Sequence, residues 1–276
     1  MRACWSSRAG ASVAAGALAA LAWAWFEAGW LRRRRLEVPV DDLRSELVGL
    51  RIVHLSDLHL GIPSRGSRAV ERGFEWAQGL APDLVVVTGD LLSRPRAEAR
   101  LRELLRRAGP CYAVLGNHDV EHSRDPFSRS GGLKDLSPAR LLVDEAETLE
   151  LRGRRVQLVG VDPRAYRAGR ARPWLLADPA ADLRILLCHY PTVLRRLPFD
   201  SFDLVLAGHM HDGQITLPLP RRKVLLAHPR APYASGLYVR NGITMHVSPG
   251  LGTTFVPLRF YARPEATELV LQGGRR

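Results

Sequence analysis

Cysteine and lysine, two residue types that often mark function, are scarce in this chain. Cysteine occurs three times in 276 residues, at Cys4, Cys111 and Cys188, and these positions do not form the cluster that a thiolate metal site requires. Cys111 and Cys188 fall inside apolar runs, so we expect small buried side chains in a reducing compartment. Lysine occurs only at Lys134 and Lys223, so arginine carries nearly all of the formal net charge of +12.

The positive charge has three interpretations: a nucleic-acid partner, an anionic lipid surface, or arginine-rich coding in a GC-rich genome. No basic stretch is interleaved with aromatic residues, as it would be in a groove for single strands. Nucleic acid is therefore the least favoured partner. With 46% hydrophobic and 25% charged residues, the chain has a globular balance, and disorder is excluded as its main state.

Residues 1–36 are predicted to be a membrane anchor with a basic flank. An apolar, alanine-rich run over 9–30 approaches the roughly 20 residues of a membrane-spanning helix, and its three tryptophans resemble interfacial anchors. A cleaved signal peptide and a helix buried in the soluble domain are the alternatives. Four arginines at 32–35 follow the run directly, which favours an uncleaved anchor and places the next domain on the cytoplasmic face.

Beyond a polar linker over 37–49, residues 50–276 are predicted to form one α/β domain. Apolar runs alternate with two helical patterns, one beginning near Ser67 and one over about 97–108. This alternation predicts βαβ units with right-handed crossovers.

Five apolar runs of this domain end in polar residues that could bind a metal. Each run is apolar throughout, as expected of strands buried on both faces, and ligand sites of open α/β sheets gather at the carboxyl ends of strands. The polar residues after the five runs are Asp57 and His59, Asp90, Asn117 and His118, His189, and His209 and His211. Glycine precedes Asp90, Asn117 and His209, where the backbone must turn sharply and approach a ligand.

The chemistry of these side chains indicates a centre of two divalent ions. Carboxylate, imidazole and amide oxygen suit Mn, Fe or Zn. The set is too rich for one ion, and it fits two ions about 4 Å apart that share a carboxylate, as in phosphoester hydrolases. Because ligation requires neutral imidazole, activity should fall in acid.

In chain order, these residues resemble the five-motif signature of calcineurin-like metallophosphoesterases, over roughly residues 50–271. The resemblance implies an α/β fold, a four-layer αββα sandwich with a two-metal site at the strand ends. It implies two ligand sets that share one residue: Asp57, His59, Asp90 and His211, and Asp90, Asn117, His189 and His209. His118 then resembles the family's non-ligand histidine, which stabilises the phosphate or protonates the leaving group; otherwise it simply packs against Asp90.

The segments 208–214, 235–238 and 248–253, together with the anchor, resemble the membrane-associated bacterial branch of the family. That branch includes broad phosphodiesterases and a UDP-2,3-diacylglucosamine hydrolase of lipid A synthesis. The chain departs from it at Asp212, where glycine is usual, and at Pro249, where arginine is common. Both departures bear on the substrate rather than on the metal ligands.

The expected function is hydrolysis of a phosphodiester or pyrophosphate bond by metal-activated water at the bacterial inner membrane, with two ions, most readily Mn. UDP-2,3-diacylglucosamine in lipid A biosynthesis is one candidate substrate. Leucines 217, 219, 225 and 226 are either an acyl groove for such a lipid or the core of a hairpin. Alternatives are a general, nucleotide or nucleic-acid phosphodiesterase and a metal-free binding scaffold, and the retention of all ligands favours an enzyme.

Overall fold

The computed structural model describes residues 2–120, 123–129, 132–219, 222–227 and 229–274, with 2–11 and 222 in their backbone only. Met1, the Cys4 side chain and the last two residues of the predicted domain lie outside this description. The helices are α1 (Arg2–Glu27), α2 (Gly66–Leu80), α3 (Glu98–Arg107) and α4 (Pro163–Arg167). The strands are β1 (Arg32–Val40), β2 (Arg51–Leu55), β3 (Leu84–Thr88), β4 (Cys111–Val114), β5 (Arg140–Leu141), β6 (Ala146–Leu151), β7 (Arg154–Gly160), β8 (Leu183–Leu187), β9 (Leu204–Ala207), β10 (Thr216–Leu219), β11 (Arg222–Leu225), β12 (Gly236–Arg240), β13 (Ile243–Val247) and β14 (Glu265–Gly273).

Two six-stranded mixed sheets form the centre of the described chain. The first has the order β1-β14-β2-β3-β4-β5 and the second the order β12-β13-β9-β8-β7-β6, while β10 and β11 form a separate hairpin. Strands β2, β3 and β4 are parallel, with α2 and α3 as their crossovers. The predicted βαβ units are therefore confirmed. Strands β7, β8, β9 and β13 are also parallel. In each sheet, the polar loops that leave the parallel strands therefore lie along one edge.

The strands are apolar throughout because both faces of each sheet are covered. Along β3, Val85 and Val87 pack toward α2 and α3, whereas Leu84 and Val86 pack toward the second sheet. The outer face of the second sheet is covered by α4 and by the short helix Pro191–Arg195. The layers are therefore helix, sheet, sheet and short helix, and the predicted mixed α/β class is confirmed.

The first helix packs its carboxyl end against the domain. Ala24 and Ala28 are buried there, and Glu27 is 2% exposed. The Glu27 carboxylate accepts hydrogen bonds from the backbone N–H groups of Tyr261 and Ala262 at 3.1 and 2.8 Å. Among the described residues, no helix combines the length and the apolarity needed to cross a membrane.

The segment interpreted as basic flank and linker is in part a strand, which corrects that interpretation. β1 pairs in parallel with β14, with Arg32 opposite Glu265. Leu36, Val38 and Val40 alternate inward and join the core between the sheets. The alternation was not recognised in the sequence because four arginines precede it. Pro39 is tolerated because β1 is an edge strand of its sheet.

Candidate metal centre

The polar residues after the strands lie in loops with a left-handed backbone. Asp57, His59, Asp90, His209 and His211 have φ values of 52°, 45°, 53°, 75° and 51°. Non-glycine residues rarely adopt this region, and such conformations cluster at functional sites. Here they turn each exit loop back over its strand, so that five side chains from β2, β3 and β9 point toward one place.

Two glycines in these loops allow the backbone of one loop to approach a side chain of another. A Cβ on Gly116 would lie 2.1 Å from Oδ1 of Asp90, and a Cβ on Gly208 would lie 1.9 Å from Oγ of Ser56. No side chain fits at either distance. The glycines before Asn117 and His209 therefore allow a close approach to a protein side chain, whereas the predicted approach to a ligand stays a prediction.

A first cluster of donor atoms is formed by Asp57, His59, Asp90 and His211, all buried and all within 4.8 Å of one another. Nε2 of His211 lies 3.3 Å from Oδ1 of Asp57, and Nε2 of His59 lies 3.5 Å from Oδ2 of Asp90. The two Nε2 atoms of His59 and His211 are 3.1 Å apart. Two carboxylates and two imidazoles thus converge from three exit loops.

A second cluster shares Asp90 with the first and adds His189 and His209. Nε2 of His189 lies 3.3 Å from Oδ2 of Asp90 and 3.1 Å from Nδ1 of His209. The side-chain oxygen of Asn117 is 3.1 Å from the same Nε2 of His189. All seven predicted ligands therefore come together, with Asp90 at the boundary between the two groups.

His118 lies beside the clusters and belongs to neither. Its backbone N–H donates to Oδ1 of Asp90 at 2.9 Å, and its Nε2 is 3.9 Å from Oδ2 of the same carboxylate. The ring nitrogens Nδ1 and Nε2 are each 3.1 Å from a hydroxyl oxygen, those of Ser128 and Ser123. The imidazole is thus held at the edge of the site, where it faces the adjoining cavity.

The electrostatics of the site favour positive charge. Burial alone would raise the pKa of Asp90, yet His189 and His118 hold that pKa well below its usual range. Burial would lower the pKa of His189, but Asp90 raises it to about 9. The pKa of His209 falls to about 3 through burial and through its neighbour His189. The carboxylates therefore hold a proton on the imidazole of His189. A bound metal cation could take the place of that positive charge.

Two further buried residues support the site, Asp119 and Arg259. Asp119 belongs to the third motif, whereas nothing in the sequence separates Arg259 from the other arginines. Asp119 accepts backbone N–H groups of Leu91, Leu92 and Gly116 at 2.8 to 3.1 Å and so ties two exit loops together. Arg259 is fully buried, donates to the carbonyl oxygens of Gly252, Pro249 and Ala262, and has Nη2 3.2 Å from Nδ1 of His211. It is one of many arginines in the chain, and only its burial distinguishes it.

A cavity of about 710 Å³ opens against Asp90 and His118. Its polar side carries Arg124 and Arg167. Its other wall is apolar and is formed by Ile215, Leu226, Phe255 and Val256. Of the four leucines considered as an acyl groove, only Leu226 lines this cavity, whereas Leu217 and Leu219 are about half exposed on β10.

A second cavity, of about 720 Å³, is also lined by His209. Tyr190 and Arg230 line it, together with three prolines of the neighbouring loops. The two cavities share His209, Met210 and Ala227. Both cavities therefore reach His209, a member of the second donor cluster.

The donor set fits divalent metal ions and does not fit a thiolate centre. Carboxylate and imidazole ligands meet at two adjacent points, which is the chemistry that binds Mn, Fe or Zn. Cys111 and Cys188 are buried in the core, and burial raises the pKa of both thiols to about 12. As expected, both are inert hydrophobic side chains.

The protein class follows from this fold and this set of donors. Residues 50–213 match the calcineurin-like phosphoesterase family. The chain belongs to that family, as its five motifs indicated.

Similar proteins carry corresponding names. A transmembrane protein with metallophosphoesterase domain from Danio rerio is 34% identical over 260 residues, which cover 86% of this chain and 56% of that protein. Phosphodiesterase YaeI from Escherichia coli is 28% identical, covering 90% of this chain and 88% of the relative. The uncharacterized metallophosphoesterase YkoQ from Bacillus subtilis is 29% identical, with 79% and 82% covered. The chain thus spans about half the length of the Danio rerio protein.

Proposed function

We propose that this chain hydrolyses a phosphodiester or pyrophosphate, a substrate with a large substituent on both sides of the scissile bond. One observation carries the proposal: two cavities of similar volume meet at His209, beside both donor clusters. A phosphate at that junction can extend one substituent into each cavity. A monoester would fill only one of them and would leave the binding energy of the other unused.

Two divalent ions, most readily Mn, are proposed at the two donor clusters. Asp57, His59 and His211 would hold one ion and Asn117, His189 and His209 the other, while Asp90 would serve both. When bound, such ions supply Lewis acidity and an activated water. The shared position of Asp90 and the surplus of negative charge around His189 support this assignment.

The remaining polar groups of the site are assigned to the substrate. His118 faces the first cavity from beside Asp90, where it can stabilise the phosphate or deliver a proton to the leaving oxygen. Arg124 and Arg167 line the same cavity, and guanidinium groups there would orient an anionic substrate.

A lipid-linked nucleotide such as UDP-2,3-diacylglucosamine is the second candidate within this proposal. The observation that favours it is the apolar wall of Leu226, Phe255 and Val256, which suits an acyl chain better than a sugar or a base. A general or nucleotide phosphodiesterase would not need that wall.

The test uses the full chain loaded with Mn. The expected result is a kcat/KM for bis(p-nitrophenyl) phosphate at least about tenfold above that for p-nitrophenyl phosphate, because only the diester occupies both cavities. A preference for the monoester would overturn the proposal. Release of UMP and 2,3-diacylglucosamine 1-phosphate from the lipid nucleotide, faster than turnover of the chromogenic diester, would select the second candidate. A chain that binds none of Mn, Fe and Zn would instead be a metal-free scaffold.

We also propose that the carboxyl end of α1 attaches the chain to an anionic membrane, with the hydrolase domain on the cytoplasmic face. Trp23, Phe26 and Trp30 form one aromatic cluster, with ring centroids 5.6 to 5.9 Å apart, and each is at least 40% exposed. The guanidinium groups of Arg65 and Arg263 lie over the rings of Phe26 and Trp30. Exposed aromatic rings beside cations suit the interface of a bilayer with anionic head groups.

Sedimentation with vesicles tests this attachment. Binding to phosphatidylglycerol vesicles should exceed binding to phosphatidylcholine vesicles, and Phe26→Ser with Trp30→Ser should weaken both. Phe199→Ser is the matched control, because Phe199 is 74% exposed in another part of the chain. Equal binding by the double variant and the wild type would refute the attachment. Protease access from the cytoplasmic side only, in membrane vesicles of known orientation, would support the orientation.

A further inference from the structure

A line of hydrogen bonds crosses the aliphatic core between the two sheets and ends at Asp57. It begins at His246 on β13 of the second sheet and passes through His54 on β2, Thr88 at the end of β3 and Ser56. All five residues have a relative exposure of 0%. Burying two imidazoles among leucines and valines costs free energy unless they are hydrogen-bonded, and the line supplies those hydrogen bonds while linking the imidazoles to Asp57.

The direction of every proton in the line can be assigned from its ends. Oγ of Ser56 donates to Oδ2 of Asp57 at 2.6 Å, because an ionised carboxylate can only accept. Oγ1 of Thr88 donates to Oγ of Ser56 at 2.9 Å. Since the Thr88 hydroxyl proton is used there, its oxygen must accept from Nε2 of His54 at 2.8 Å.

The same reasoning determines the tautomers of both histidines. A neutral His54 with its proton on Nε2 has a bare Nδ1, which must accept from Nδ1 of His246 at 2.8 Å. His246 then has no proton on Nε2. That atom is buried and is without a hydrogen-bond partner among the described residues. The unpartnered atom is thus an acceptor at the far end of the line. Each of the four hydrogen bonds has one proton, and every donor points toward Asp57.

We infer that His54 and His246 are positioning residues that orient the Asp57 carboxylate for metal binding through the hydroxyls of Thr88 and Ser56. The line holds Oδ2 of Asp57 from one side, while Oδ1 lies 3.3 Å from Nε2 of His211 in the first cluster. Hydrogen bonds in series polarise one another, so the Ser56 donor is strengthened by the imidazoles behind it. The inference rests on the proposed ligand role of Asp57.

The experiment compares two substitutions of His246 in the full chain, with Mn binding measured by titration calorimetry. His246→Leu removes the donor to His54 and should weaken Mn binding by about 10- to 100-fold, the usual effect of losing a group that orients a ligand. His246→Asn keeps an N–H at the position of Nδ1 and should bind Mn within about threefold of the wild type. Wild-type affinity in folded His246→Leu would overturn the inference.

Two further variants separate positioning from stability. Met245→Ala is the matched control, because Met245 is equally buried on the same strand and packs in the outer cluster of the second sheet. It should lower the melting temperature without changing Mn affinity, and a parallel loss of affinity would show that His246 acts only through stability. Ser56→Ala cuts the last link and should reproduce the affinity loss even if His246→Leu does not fold; unchanged affinity there would refute the inference. A wild-type chain that binds none of Mn, Fe and Zn would overturn the metal assignment itself.

Discussion

The same strands carry two regions of opposite character, the interface between the sheets and the edge where the exit loops meet. Along β8, Leu183, Ile185 and Leu187 are buried between the sheets, and His189 lies two residues beyond the last of them. The interface stabilises the fold through apolar burial. The edge holds buried carboxylates, imidazoles and left-handed backbone, all of which cost stability. Stability and chemistry are therefore separated along each strand by a few residues.

The largest expected effect tests the edge. Asp90→Asn removes the carboxylate that belongs to both donor clusters, so kcat/KM for bis(p-nitrophenyl) phosphate should fall on the order of a thousandfold or more. The amide keeps the shape of the side chain but loses the charge that holds a proton on His189, so the melting temperature of the metal-free chain should fall while the chain stays folded. Normal turnover would contradict the assignment of Asp90, and an unfolded variant would contradict the separation of the two regions.

The second prediction tests the interface. Leu158→Ala in β7 removes a fully buried side chain between the sheets and should lower the free energy of unfolding by about 2–5 kcal/mol. The kcat/KM of the folded fraction should stay within about threefold of the wild type, because Leu158 is remote from the donors. Leu175→Ala is the control: Leu175 is 75% exposed, and its loss should cost less than about 0.5 kcal/mol. A large loss of kcat/KM in Leu158→Ala would show that the two regions are coupled.

The smallest expected effect concerns pH. His189 must lose its proton to bind a metal, and its raised pKa of about 9 means that the proton competes below that pH. Mn affinity should therefore increase by up to about tenfold per pH unit from about pH 7 to about pH 9. In the metal-free chain the same proton stabilises the fold below the ordinary pKa of 6.5, and this contribution is lost as the pH rises through about 9.

Calorimetry in buffers of different ionisation enthalpy measures the protons released per ion and so checks this dependence. About one proton should be released at pH 7 for the ion at the second cluster, and His189→Asn should abolish that release. Affinity that does not change between pH 7 and pH 9 would show that His189 is neutral before metal arrives.

Most of the site was predictable because its ligands follow directly from local patterns. An apolar run that ends in Gly-Asp or Gly-Asn-His predicts a strand and also the polar residue in the loop after it. No knowledge of distant contacts was needed to predict that Asn117, His118, His209 and His211 belong to the site. By contrast, β1 was interpreted as a basic flank and a linker, because its partner β14 lies more than 200 residues away in the sequence.

Other residues could not be predicted because their roles depend on burial. Arg259 donates into the site only because the loop around Pro249 folds over it, and nothing near it in the sequence distinguishes it from the exposed arginines. Glu27 is an acidic residue within an apolar run of the sequence, and only the fold shows that it accepts two backbone N–H groups of the segment 261–262. In the sequence, nothing separates His54 from the other histidines. Its role depends on His246 of β13, whose Nδ1 lies 2.8 Å from Nδ1 of His54 in the folded chain.

The sequence by itself determined the protein class, the mixed α/β architecture and the residues at the ends of the strands. The architecture and the strand ends follow from hydrophobic period, glycine position and donor type, which are local properties that a chain carries before it folds. The class follows from the resemblance of the five motifs to a known family. The tertiary structure alone decided that two cavities meet at His209 and that a line of hydrogen bonds runs from His246 to Asp57. These features depend on how the two sheets pack against each other. That packing joins residues far apart in the chain, so no local pattern of the sequence contains it.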